Sequence, residues 1–211
     1  MIILNKYWLT VGHPLLIKRA ALNRGNNTAM LMIKDHWLVA ARRVPSTHFN
    51  ERPEGESPRL LVVHNISLPP GEFGGPYIDQ LFTGTLRAQD HPYFAQIAGL
   101  RVAAHCLIRR EGEIVQYVPF DKRAWHAGQS LYKGIENCND FSIGIELEGT
   151  DELPYTEQQY RALTNITQSL IAAYGLAVEN ITGHSDISPG RKTDPGPSFD
   201  WDYYHSLIAS R

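Results

Sequence analysis

The sequence predicts a mixed α/β fold, and three stretches of its 211 residues carry this prediction. Residues 59–67 have a continuous apolar run, which is typical of a strand buried on both faces. Residues 141–149 alternate, so a strand there would place Glu146 and Glu148 on the face opposite its isoleucines. Residues 156–175 repeat apolar side chains at helical spacing, which predicts a helix packed on the sheet.

Residues typical of turns and loops predict how the first half of the chain is divided into segments. Polar, proline-bearing residues 50–58 predict a loop before the first buried strand, and a long segment with little periodicity follows that strand up to residue 100. Residues 101–119 contain two apolar runs around Glu111 and Gly112. This pattern predicts a β-hairpin.

The helix has clear signals at both ends. Thr156 and Gln159 fit a capping box, Tyr155 and Tyr160 fit a hydrophobic staple, and Gly175 stands where a glycine cap would end it. A short strand is then predicted to lead into residues 183–196, which are too rich in proline and glycine for a helix or a strand.

Composition limits the kinds of partner. The chain has 20 Lys and Arg against 22 Asp and Glu, so it lacks the basic surplus typical of nucleic-acid binders. Its two cysteines are too few for a disulfide framework and do not form a CxxC pair. We therefore expect a small or neutral ligand, and no nucleic acid or membrane partner.

The first 29 residues are predicted to be a weakly ordered extension of a domain spanning residues 30–211. Their apolar clusters are broken at residues 12–14 and never approach the roughly 20 residues of a spanning helix. The early charge pattern also makes a poor secretory leader, although export remains an alternative. Met30 and Met32 are both possible starts of the working protein.

Three residues suggest a metal site. His64 lies near the end of the first buried strand, His184 follows a later strand, and Asp194 stands in the proline-rich loop. Two imidazoles and one carboxylate leave a fourth position for water, as in catalytic zinc sites. A lone buried histidine is more often an ordinary core or loop residue than a ligand, and the sequence does not show that these two distant histidines meet.

Four long segments resemble the AmpD branch of the N-acetylmuramoyl-L-alanine amidases, a family related to peptidoglycan recognition proteins: LLVVHNISLPPGEFGGPYIDQLFTGTL, LRVAAHCLIRREGEIVQYVPFDKRAWHAG, CNDFSIGIELEGTD and TGHSDISPGRKTDPGPSFDW. The resemblance runs from about residue 31 to about residue 204. It implies a central mixed β-sheet flanked by helices. It also implies a zinc enzyme that cleaves the amide bond between 1,6-anhydro-N-acetylmuramic acid and L-alanine of the stem peptide.

The resemblance also implies a cellular role and location. It implies a role in peptidoglycan recycling, an anhydro-muramyl peptide substrate, a cytoplasmic location and a link to the regulation of β-lactamase induction. We further expect a monomer. Two alternatives stay open: a binding module that only recognises peptidoglycan, and an exported amidase that acts on intact murein.

The resemblance also assigns residues. It implies that His64, His184 and Asp194 bind zinc and that Glu146 and Lys192 are the catalytic pair, although the wider family often has Cys in place of Asp194. Glu146 would accept a proton from water and pass it to the leaving amine, and Lys192 would stabilise the oxyanion. Without the resemblance, both are read more simply as solvated surface charges.

Four further residues are predicted to bind substrate. Trp125, with His126 beside it, is expected to line a sugar pocket, and Arg101 is expected to pair with a carboxylate of the stem peptide. Asn65 is expected to orient a ligand beside His64, and Tyr93 is expected to form part of the pocket wall. The simpler interpretation of Trp125 and His126 is a packed loop.

Cys106 offers a competing interpretation, since the pair His105-Cys106 suggests a thiol hydrolase. Adjacent residues on a strand point to opposite faces, however, so the two side chains would not meet. We therefore predict that Cys106 is an inert, buried packing residue.

Overall fold

The structure, a computed structural model, describes residues 30–210. The extension predicted for residues 1–29 lies outside the described residues. Within them, no helix is long and apolar enough to cross a membrane. The strands are β1 (Ile33–Lys34), β2 (Trp37–Leu38), β3 (Arg42–Arg43), β4 (Phe49–Asn50), β5 (Leu60–Ile66), β6 (Cys106–Ile108), β7 (Ile114–Gln116), β8 (Arg123–Ala124), β9 (Leu131–Tyr132), β10 (Ile135–Glu136), β11 (Ser142–Glu148) and β12 (Ile181–Gly183). The α-helices are α1 (Tyr77–Thr83), α2 (Glu157–Tyr174), α3 (His184–Ile187) and α4 (Trp201–Ala209).

A six-stranded sheet in the order β12-β5-β11-β6-β7-β3 forms the centre of the fold. Strands β6 and β7 pair antiparallel, and the other neighbours in this sheet pair parallel. The predicted mixed sheet flanked by helices is therefore confirmed. The predicted hairpin is confirmed as well, since β6 and β7 are joined through Gly112, which has a φ of +86°.

The two faces of the sheet have different coverings. Helices α2 and α4 pack on one face, against side chains that include Leu61, Val63 and Ile145. His64 and Glu146 occupy alternate positions, so they lie on the opposite face, away from α2. The simpler interpretation of Glu146 as a solvated surface charge was wrong, because all seven residues of β11 are buried. The alternation in the sequence separates two covered faces rather than a core from solvent.

The predicted caps of α2 are confirmed. The Thr156 hydroxyl accepts a hydrogen bond from the Gln159 amide at 3.1 Å, and the Gln159 side chain accepts one from the Thr156 amide at 3.1 Å. Such an N-cap contributes about 0.5–2 kcal/mol to stability. Gly175 ends the helix in the left-handed region, and the rings of Tyr155 and Tyr160 lie 6.4 Å apart.

The segment after β5 has more regular structure than its sequence suggests. It contains α1 and two 3-10 helices, Ala88–Asp90 and Pro92–Gln96. Each is too short to show a hydrophobic period, and tertiary contacts bury Ile78, Leu81 and Phe82 of α1. Local periodicity therefore could not reveal them.

The loop prediction for residues 183–196 was also wrong in part. Gly183 ends β12, and His184 begins the single turn of α3. The Asp186 carboxylate accepts hydrogen bonds from the Gly183 amide at 2.9 Å and the Thr182 hydroxyl at 2.8 Å. This local cap stabilises one helical turn before Pro189, in the part of the segment that lacks proline and glycine.

Candidate metal and catalytic site

The three predicted metal ligands come together at the carboxyl edge of the sheet. His64 Nδ1 lies 3.0 Å from His184 Nδ1, and Asp194 Oδ2 lies 3.0 Å from each of these nitrogens. Both histidines are almost fully buried, and Asp194 is partly exposed. Carboxyl ends of parallel strands commonly form binding sites in this way.

Strand register explains why these side chains meet. In the parallel pair β12-β5, Gly183 stands opposite Val63, and each is followed directly by a histidine, His184 after the end of β12 and His64 within β5. In the parallel pair β11-β5, Glu146 stands opposite His64. The sheet therefore places His184 and Glu146 on either side of His64 without any contribution from a flexible loop.

Asp194 comes from a loop that the protein holds at several points. Its carbonyl accepts a hydrogen bond from the Ser185 amide at 2.9 Å. The carbonyl of the next residue, Pro195, accepts bonds from the Tyr155 hydroxyl at 2.7 Å and from the Asn65 amide at 3.1 Å. Asn65 thus contacts the loop of Asp194, a connection that its place beside His64 in the sequence does not reveal.

The donor set fits a zinc ion. His184 Nε2 donates to the Ala127 carbonyl at 3.0 Å, so Nδ1 of the neutral ring carries a lone pair. His184 Nδ1 lies 3.0 Å from Asp194 Oδ2, so the lone pairs of both atoms can be directed at one cation. Two histidine nitrogens and one carboxylate oxygen are ligands of catalytic zinc sites.

The protonation of His64 and Asp194 suits metal binding. Burial lowers the pKa of His64 to about 4, even though its hydrogen bond to Asp194 opposes this shift. Burial alone would raise the pKa of Asp194, but hydrogen bonds from His184 and His64 hold it well below its usual value. A neutral imidazole and an ionised carboxylate are the forms that bind metals.

The two carboxylates of β11 have different surroundings. Glu148 is buried and forms an ion pair with Arg109 at 2.8 Å. Glu146 is buried too, but its Oε2 atom has no hydrogen-bond partner among residues 30–210. Burial and the nearby Asp194 carboxylate raise the pKa of Glu146 well above its usual value, while Lys192 opposes the shift. A buried, unpartnered carboxyl beside a candidate metal site is a candidate proton carrier.

A cavity of about 390 Å³ connects these groups. The polar part of its lining, here called the polar wall, includes His64, Glu146, His184, Lys192 and Asp194. The apolar part, here called the apolar wall, includes Leu68, Pro70, Leu81, Phe82, Ile97, Leu100 and Val102. The exposed Lys192 reaches the cavity from the same loop as Asp194, two positions earlier in the chain.

The predicted substrate residues divide into two groups. Asn65, Tyr93 and Trp125 line the cavity, whereas Arg101 does not. The Arg101 guanidinium instead lies 5.1 Å from the centre of the Trp125 ring, a cation–π contact. Trp125 also stacks on His48 with its ring 6.3 Å away, so its aromatic surface already has protein neighbours.

His126 lines the cavity, as expected, but sequence reasoning missed its contact with a candidate ligand. The Nδ1 atom of His126 lies 2.9 Å from His64 Nε2. No local pattern in the sequence indicates the contact. Cys106 is fully buried and burial raises the pKa of its thiol, which agrees with the predicted packing role and not with a nucleophile.

Comparison with known proteins identifies relatives of this chain. The N-acetylmuramoyl-L-alanine amidase family (Amidase_2) matches residues 54–197. The 1,6-anhydro-N-acetylmuramyl-L-alanine amidase AmpD of Escherichia coli K12 is 66% identical over 179 residues, which cover 85% of this chain and 98% of that protein.

Two solved structures extend the comparison. The crystal structure of a Se-Met AmpD derivative has a TM-score of 0.83 at 66% identity and covers 84% of this chain and 99% of its own. AmpDh3 of Pseudomonas aeruginosa, in complex with anhydromuramic pentapeptide, has a TM-score of 0.55 at 27% identity and covers 74% of this chain and 61% of its own. The chain therefore belongs to the N-acetylmuramoyl-L-alanine amidase family and, within it, to the AmpD group.

Proposed function

We propose that this protein is a zinc-dependent amidase that hydrolyses the bond between 1,6-anhydro-N-acetylmuramic acid and L-alanine of the stem peptide. One observation carries the proposal: His64, His184 and Asp194 meet in a cavity that also holds the carboxyl of Glu146, whose Oε2 atom has no hydrogen-bond partner among the described residues. The name of the Escherichia coli relative and the anhydromuramic pentapeptide bound by the Pseudomonas neighbour support this choice of substrate.

The proposed zinc ligands are His64 Nδ1, His184 Nδ1 and Asp194 Oδ2. A bound zinc supplies Lewis acidity and makes water a nucleophile at neutral pH. The protein contributes the arrangement of the ligands, because strand register and the bonds to Pro195 hold all three side chains in place.

Glu146 is proposed to carry the proton. Its free Oε2 atom takes a proton from the attacking water and then gives it to the amide nitrogen of L-alanine as the C–N bond breaks. A raised pKa suits both steps, because a group that must accept and release a proton works best with a pKa near the operating pH. Positioned acid–base groups of this kind contribute about 10²–10⁴-fold to rate.

Lys192 is proposed to stabilise the transition state. Its ammonium group donates to the carbonyl oxygen of the lactyl group as negative charge develops there. The side chain makes no hydrogen bond within the described residues, so its donors are available to substrate. Such stabilisation is often a large part of the rate enhancement of an enzyme.

The apolar wall is proposed to bind the sugar. A 1,6-anhydro bridge replaces the hydroxyls at C1 and C6 of an ordinary muramic acid with one ether oxygen, so the modified ring is less polar. Trp125 and Tyr93 also line the cavity and add aromatic surface to this wall. Arg101, which lies over Trp125, is proposed to meet a carboxylate of the stem peptide at the rim.

The proposed setting is peptidoglycan recycling in the cytoplasm, with a monomeric enzyme that acts on small muropeptides and not on nucleic acid or membranes. Removal of anhydro-muramyl peptides is the proposed link to β-lactamase induction. A module that only binds peptidoglycan is disfavoured by the assembled ligand triad.

Mass spectrometry of reaction products tests the proposal. The purified full chain is given soluble anhydro-muramyl peptide or intact murein, each before and after zinc removal and after zinc is restored. We expect zinc-dependent release of free stem peptide from the soluble substrate and slow release from murein. Efficient cleavage of murein would favour the exported enzyme, and zinc binding without cleavage of either substrate would favour the binding module.

A further inference from the structure

We propose that His126 is a positioning residue that holds His64 in the tautomer able to bind metal. The inference rests on the proposed zinc site and concerns the hydrogen bond between the ligand His64 and His126. His64 Nδ1 belongs to the ligand triad, while His64 Nε2 lies 2.9 Å from His126 Nδ1. A neutral imidazole carries one proton, so Nδ1 has a free lone pair only when Nε2 carries the proton.

The second nitrogen of His126 completes this arrangement. His126 Nε2 lies 3.1 Å from the hydroxyl oxygen of Ser142, a fully buried residue. When His126 donates to Ser142, its Nδ1 atom is an acceptor and receives the proton of His64 Nε2. Ser142, His126 and His64 then form a chain of hydrogen bonds. At its end, the lone pair of His64 Nδ1 is free to bind a metal together with His184 and Asp194.

The two histidine ligands differ in how their tautomers are set. His184 Nε2 donates to the Ala127 carbonyl, which can only accept, so the tautomer of this ring is fixed. His126 can either accept or donate, so the chain from Ser142 to His64 has two proton arrangements. The alternative puts the proton on His64 Nδ1, where it bonds to Asp194 and blocks metal binding. Zinc therefore requires the first arrangement.

The fold makes a specific place for the His126 ring. A Cβ atom on Gly144 would lie 2.4 Å from His126 Cγ and Nδ1, so the strand admits the ring only because residue 144 is a glycine. The His126 backbone amide also donates to the Asn139 side chain at 3.1 Å. Glycine weakens a strand interior and often marks a close approach, which here is the approach of His126.

The first test uses the unaltered, zinc-loaded protein. Nitrogen NMR of labelled histidine rings reports which nitrogen carries the proton and whether two nitrogens share a hydrogen bond. We expect a protonated His64 Nε2 and a coupling across the bond to His126 Nδ1. A His64 ring protonated at Nδ1, or the absence of this coupling, would overturn the proposal.

The second test compares zinc affinity among variants by competition with a chromophoric chelator. His126→Leu removes the acceptor, and we expect it to weaken zinc binding about 10–100-fold, as outer hydrogen-bond partners of metal ligands do. His126→Asn keeps an acceptor oxygen close to the position of Nδ1, and we expect near wild-type affinity. His205→Leu, in α4, controls for the loss of an imidazole away from the cavity.

The possible outcomes distinguish a failure of the proposed role of His126 from a failure of the proposed zinc site. Wild-type zinc affinity in His126→Leu would overturn the role of the acceptor. Equal losses of affinity in the Leu and Asn variants would overturn it too, because a restored acceptor would then make no difference. A wild-type protein that binds no zinc would instead overturn the proposed metal site, and the inference with it. If His126→Leu fails to fold, the Asn variant and the NMR measurement still decide.

Discussion

The polar and apolar walls of the cavity are built in different ways. Four of the five polar-wall side chains are buried or partly buried, and strand register brings three of them together from distant parts of the sequence. The apolar wall comes from the single stretch of residues 68–102, which contains only short helices. Its Leu100 is 47% exposed, and the neighbouring Tyr93 is 37% exposed.

The difference suits the polar wall to catalysis and the apolar wall to substrate recognition. Catalytic groups must keep their positions within a fraction of an ångström, which is easier on strands than on loops. A recognition surface tolerates, and often uses, the adaptability of connecting segments. We therefore expect changes in the polar wall to lower kcat and changes in the apolar wall to raise KM.

The largest effect is expected for Glu146→Gln. The amide matches the shape of the carboxyl but cannot accept the proton of water, so kcat should fall about 10²–10⁴-fold while zinc content stays at one ion per chain. Steady-state kinetics and metal analysis measure the two quantities. Glu111→Gln, at the hairpin turn, is the matched control. Full turnover in Glu146→Gln with zinc bound would remove this residue from the mechanism.

A smaller effect is expected for Lys192→Met. The methionine keeps much of the side-chain volume and loses the ammonium donor, so kcat should fall about 10²–10³-fold with little change in KM, as for the loss of one oxyanion donor. The exposed Lys34→Met variant controls for the change in net charge. An increase in KM at unchanged kcat would make Lys192 a binding residue and would break the proposed division between the walls.

The smallest effect is expected for Leu100→Ala. Truncation removes apolar contact area, and a loss of about 1 kcal/mol would raise KM about five-fold without lowering kcat. Leu153→Ala is a suitable control, because Leu153 is 39% exposed and does not line the cavity. A fall in kcat of similar size would show that the apolar wall also positions the reacting bond.

Local sequence signals predicted the elements that have strong patterns. The capping box at Thr156, the hairpin at Gly112 and the buried strand that carries His64 all appeared as expected. Helix α1 and the turn of α3 did not, because seven and four residues are too few for a period to be seen.

The sequence by itself determined which chemistry was available: two histidines and an aspartate after predicted strands, a glutamate on a strand and a lysine beside the aspartate. Tertiary structure decided where each group acts. It buried Glu146 and left its Oε2 atom without a hydrogen-bond partner among residues 30–210, placed Arg101 on Trp125 and brought His126 to the Nε2 atom of His64. The physical reason is that these contacts depend on strand order and register across the sheet, and a local pattern of side chains specifies neither.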